Sequence, residues 1–75
     1  MSYGYTARLI QKNKEASGRS LGVKLGRLCI KHDMPVSEVA VTLGVSRQAV
    51  YNWFTGVNTP KPPLTELIEE LMSEL

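Results

Sequence analysis

The sequence predicts an all-α fold, a compact bundle of four to five helices. Three observations carry that expectation. Apolar residues recur at helical spacing over 21–32 and again over 64–75. Residues that cap or stop helices punctuate the stretches in between: Thr6, Pro35, Ser37, Gly44, Ser46, Gly56 and Pro63. No stretch alternates convincingly between apolar and polar residues, although 34–41 is short enough to conceal a strand.

Residues 1–19 allow two readings. Thr6 suits the cap of a helix reaching about Glu15, with Ala7, Ile10 and the stem of Lys14 on one face and Ala16-Ser17-Gly18 as its stop. The same residues also suit a flexible basic arm, because short helices are marginal without packing. The pattern is firmer from Ser20. Leu21, Leu25, Leu28, Cys29 and His32 fall on one helix face. Gly22 and Gly26 each weaken that helix by about 1 kcal/mol relative to Ala. One turn apart, they also make a smooth strip that a second helix can approach closely. Met34-Pro35 ends the segment, since a residue before proline avoids the helical region.

Ser37 is expected to cap a short helix carrying Val39, Ala40 and Leu43, with Gly44 as its left-handed terminator. Ser46 caps a third helix, 47–55, with Ala49, Val50, Trp53 and Phe54 inward. Trp53 reads as core, and Phe54 as either core or a dimer surface. The loop 57–63 contains Pro60, Pro62 and Pro63, the last placed as a first helical residue. Leu64, Leu67, Ile68, Leu71, Met72 and Leu75 then form the cleanest amphipathic stripe of the chain.

Composition narrows the function. The chain has 75 residues and a net charge of +2. One domain of this size buries only about 60% of its unfolded surface, which leaves little room for a deep cleft. Its charge is unevenly spread. Arg8, Lys12, Lys14, Arg19, Lys24, Arg27 and Lys31 precede position 32 with Glu15 alone against them, whereas Glu66, Glu69, Glu70 and Glu74 crowd the last helix. A basic front presents one face to a polyanion. Cys29 is the single cysteine, so an intrachain disulfide and a Cys-based zinc site are excluded, and a reducing cytoplasmic setting is expected. Neither a membrane span nor a signal peptide is expected. Cys29 reads as a small buried hydrophobe and His32 as a helix-end residue. Lacking a nucleophile–base pair, ligand spacing or a phosphate loop, the chain is expected to be no enzyme and to take no cofactor or metal.

The informative stretch is 36–55. Two short helices are joined by Gly44-Val45-Ser46, and such a turn sets helices steeply across one another, as in the DNA-binding helix-turn-helix. Ala40 is small where they would cross, and Val45, Val50 and Trp53 are apolar where the second helix docks. What stays outward on that helix is Arg47, Gln48, Tyr51, Asn52 and Thr55. Arginine donates twice to guanine, while glutamine and asparagine pair bidentately with adenine. Arg47, Gln48 and Asn52 are therefore the candidate base contacts. Ser46, Tyr51 and Thr55 are within reach of phosphate oxygens.

Over 20–75 this pattern resembles the lambda-repressor-like helix-turn-helix family of phage and bacterial repressors, Cro-type proteins included. Ala40, Gly44, Val50 and Trp53 carry the resemblance, with Ser46-Arg47-Gln48-Ala49-Val50-Tyr51-Asn52-Trp53 as the second helix. It implies an operator-binding domain, usually a homodimer, that reads bases through Arg47, Gln48 and Asn52. It also implies phosphate contacts near Ser37, Ser46, Tyr51, Thr55 and Lys61. Gly22, Gly26 and the basic segment 1–19 depart from the family pattern. Arg8, Lys12 and Lys14 are read either as a solubilising surface or as an arm on phosphates or in the minor groove. The expected function is a transcriptional repressor bound to double-stranded DNA in a bacterial or phage-infected cytoplasm. Two alternatives remain: the same fold binding RNA polymerase or another regulator, and an architectural or single-strand binder that uses charge alone.

Overall fold

A computed structural model describes residues 6–75. Five helices follow in order: α1 (Ala7–Glu15), α2 (Leu21–Lys31), α3 (Val36–Leu43), α4 (Arg47–Phe54) and α5 (Leu64–Glu74). The fold is all-α, with no strand among the described residues. The Cα radius of gyration is 10.8 Å, against about 11 Å expected for a compact domain of this length.

α2 is the central helix, packed against α1, α4 and α5, while α3 packs on α4 and α5. That position widens its buried arc beyond the expected face. Leu25 and Cys29 are fully buried as the periodicity predicts, and so is Val23. Leu21 and Leu28 are half-buried, and His32 is an exposed C-cap. Gly22 and Gly26 provide the close approach. A Cβ on Gly22 would lie 2.6 Å from the Cβ of Trp53, and one on Gly26 would lie 2.8 Å from the Cγ of Phe54.

From Thr6 onward, the open choice at the N-terminus resolves as helix; residues 1–5 lie outside the described part. Thr6 Oγ1 accepts from the Leu9 amide at 3.2 Å. The expected inward face of α1 is corrected, however. Leu9 and Asn13, one turn apart, are the buried residues, while Ile10 is half-buried and Ala7 exposed. Leu9 joins the core of α2–α5 side chains. Asn13 is the single buried polar side chain among the described residues, at 2% exposure.

Two helix starts also differ from expectation. α3 begins at Val36 with Pro35 as its N-cap, and no side chain caps it, so Ser37 lies in the first turn. Starting there puts Val36, Val39, Ala40 and Leu43 on one buried stripe, which a start after Ser37 would break. Pro63 is the N-cap of α5 rather than its first residue. Along α5, Ile68 and Leu71 are buried, whereas Leu67 is 46% exposed and falls off the stripe. Phe54 is fully buried, which settles it as core.

Candidate nucleic-acid interface

α3 and α4 are joined as the sequence predicts. Gly44 takes the left-handed conformation at φ 70°. Its turn is closed by a bond from the Val45 amide to the Ala40 carbonyl at 3.0 Å, which satisfies a carbonyl left open at the helix end. Ser46, in extended backbone, caps α4 by accepting from the Ala49 amide at 3.1 Å. Its hydroxyl proton stays available to an outside acceptor.

α4 is held along one side and at both ends. Val50 and Phe54 are fully buried and Trp53 nearly so. The Asn13 amide group donates to the Phe54 carbonyl at 2.7 Å and to the Val23 carbonyl at 3.3 Å, tying α1, α2 and the end of α4 together. Beyond α4, the Gly56 amide donates to Trp53 and the Asn58 amide to Asn52, each at 3.2 Å.

Arg47 and Gln48 are exposed at the start of α4, and Asn52 is half-buried one turn on. Gln48 Nε2 donates to Asn52 Oδ1 at 3.1 Å. The pair stiffens both side chains and leaves Gln48 Oε1 and the Asn52 N–H groups for an external partner. Together with the Arg47 guanidinium, the row offers donors and an acceptor side by side. This is chemistry for recognising another polar edge.

The remaining predicted site residues divide. Tyr51 is half-buried against the core. The Thr55 hydroxyl donates to the Tyr51 carbonyl at 2.8 Å, so that proton is committed within the helix end. Ser37 is half-buried in the first turn of α3, two positions past the Pro35 N-cap, and caps nothing. Lys12 lines a shallow groove with Glu15, Ala16, Thr55 and Val57, and Lys61 lines an adjoining one with Trp53, Val57, Asn58 and Thr59. Two cations thus flank the C-terminal end of α4. Arg8 is exposed one turn before Lys12. Lys14 points elsewhere, into a groove with Ile10, Arg27, Ile30 and Lys31, because residues two apart on a helix do not share a face.

Asn13 was missed from sequence. Its signal was a polar residue one turn beyond Leu9 on a helix whose packed face was not yet defined. Cys29 is fully buried, and burial, with a smaller contribution from the Glu38 carboxylate, pushes its thiol from 9.0 up to about 12. It packs as a hydrophobe. Among the described residues no group of three or more His, Cys, Asp or Glu side chains is placed to hold a metal ion. Nor is any described helix long and apolar enough to cross a membrane. No protein family, curated protein or solved structure matches the chain.

Proposed function

We propose that this chain is a sequence-specific double-stranded DNA-binding regulator, a helix-turn-helix repressor of Cro type that acts as a homodimer in a bacterial or phage-infected cytoplasm. The observation that carries the reading is the outer face of α4. Arg47 and the hydrogen-bonded Gln48–Asn52 pair project from a helix whose opposite face is sealed into the core. A helix so mounted fits the major groove with its first turns toward base edges. Arg47 reads guanine, and Gln48 and Asn52 read adenine. Ser46, Lys12 and Lys61 hold phosphates on either side. Repression follows from occupancy of DNA that polymerase needs, without a cofactor or a reaction.

Selection from a random duplex pool at about 150 mM salt tests this, because purely electrostatic binding weakens steeply with salt. A two-fold symmetric motif is expected. Salt-sensitive binding without a motif, or no binding, refutes the reading. On the selected site, Arg47→Ala is expected to cost roughly 1–3 kcal/mol and to relax preference at one base position. An equal loss on unrelated DNA contradicts its assigned role.

A further inference from the structure

We propose that the chain associates with a second copy of itself through two surfaces outside the α4 face, the Leu67 side of α5 docking into the groove between α1 and α2. The α1–α2 groove has an apolar floor of Ile10 and Ile30 and a cationic rim of Lys14, Arg27 and Lys31. No acidic side chain lines it. Arg27 is braced there by a bond from Nη2 to the Ala16 carbonyl at 3.1 Å, which orders the rim.

The α3–α5 surface is its chemical inverse. Thr42, Leu43, Leu67, Glu70, Leu71 and Glu74 line a shallow groove with no basic side chain. Leu67 is 46% exposed, a large apolar group left in water. Glu66 and Glu70 lie one turn or less from Leu67 on the exposed side of α5.

An apolar residue ringed by carboxylates on one copy therefore matches an apolar floor ringed by cations on the other. Burial of Leu67 over Ile10 and Ile30 supplies the attraction, and the rim charges set orientation and exclude like-charged pairings. The two surfaces share no residue, and neither includes Arg47, Gln48 or Asn52. The inference rests on the homodimer reading above and names its surfaces; tested without DNA, it can fail while the base-reading face of α4 stands.

Sedimentation velocity on the full chain without DNA, in the micromolar to millimolar range, reads the contact directly. In about 0.1 M salt the protein is expected to associate with rising concentration. In about 1 M NaCl, where screening shortens charge interactions to about 3 Å, association is expected to weaken several-fold. Lys14→Glu with Lys31→Glu, and separately Glu70→Lys with Glu74→Lys, are each expected to leave a monomer. All four side chains are exposed, and far-UV circular dichroism checks that helicity is retained. An equimolar mixture of the two variants is expected to associate again, since each supplies the surface the other has lost. Should the lysine reversals unfold α1, Leu67→Lys on the opposite surface carries the same test by placing a cation against the cationic rim. A wild-type chain that stays monomeric at millimolar concentration, association indifferent to the reversals, or a mixture that remains monomeric overturns the proposal.

Discussion

Replacing Gly22 by alanine sets helix propensity against packing. Inside an exposed helix the change would stabilise by about 1 kcal/mol, because glycine loses more backbone freedom on folding. Here the new Cβ would stand 2.6 Å from the Cβ of Trp53, 3.0 Å from its carbonyl oxygen and 3.1 Å from its Cα. Two of those three atoms are backbone, so no side-chain rotation relieves the contact. Restoring ordinary van der Waals distance requires α2 and α4 to part by about 0.8 Å, through a core too densely packed to yield without loss elsewhere. Overpacking of this kind costs roughly 1–3 kcal/mol, and a backbone clash belongs in the upper half of that range. Net of propensity, the variant is expected to lose about 1–2 kcal/mol. For a domain of this size that lowers Tm by roughly 4–16 °C. Thermal unfolding followed by far-UV circular dichroism measures it, with Lys24→Ala on the exposed face of the same helix as a control expected within about 0.5 kcal/mol of wild type. A Gly22→Ala protein melting at or above the wild-type temperature would show slack between α2 and α4 and refute the argument.

Three further outcomes are expected. Asn13→Ala removes the donor that serves the buried carbonyls of Val23 and Phe54, and should cost about 2–4 kcal/mol in urea unfolding; a loss below about 1 kcal/mol would mean the α1–α4 tie is unimportant. Gly44→Ala introduces no clash, since nothing lies within 4 Å of its would-be Cβ, but forces a side chain into φ 70°. The expected penalty is about 1–2 kcal/mol, smaller for Gly44→Asn, and an unchanged urea midpoint would contradict the left-handed turn. Cys29 makes stability fall with rising pH. The unfolded thiol ionises near 9.0 while the folded one keeps its proton to about 12. Between those values the unfolded state binds fewer protons, so this contribution is complete below pH 9 and is lost through the window at up to about 1.4 kcal/mol per pH unit. Unfolding free energies from about pH 8 to about pH 11 should decline less steeply for Cys29→Ala than for wild type, and parallel slopes would reject the assignment.

Much of the helical layout was legible because its signals are local. The Thr6 and Ser46 caps act on amides three residues away, and Gly44 meets a demand set by its own φ. The stripe Ile68–Leu71 repeats at the helix period. The candidate site was legible for the same reason: once Val50, Trp53 and Phe54 face inward, Arg47 and Gln48 are left facing out. Errors arose where a residue's environment comes from another helix. Ser37 has the chemistry of a cap, yet Val36 is drawn into the helix by the core. Lys12 and Lys14 are equivalent as charges in sequence but sit in different grooves.

By itself, then, the sequence determined the helix periods, the turn at Gly44 and the outward row on α4. Each depends on interactions spanning a few residues. Tertiary structure alone decided that α1 belongs to the core through Leu9, and that Asn13 reaches Phe54, 41 positions away in sequence. It also decided that α4, through Trp53 and Phe54, is the helix that takes up the close approach Gly22 and Gly26 offer. Those outcomes depend on which surfaces meet, and helical periodicity identifies an apolar face without identifying what covers it.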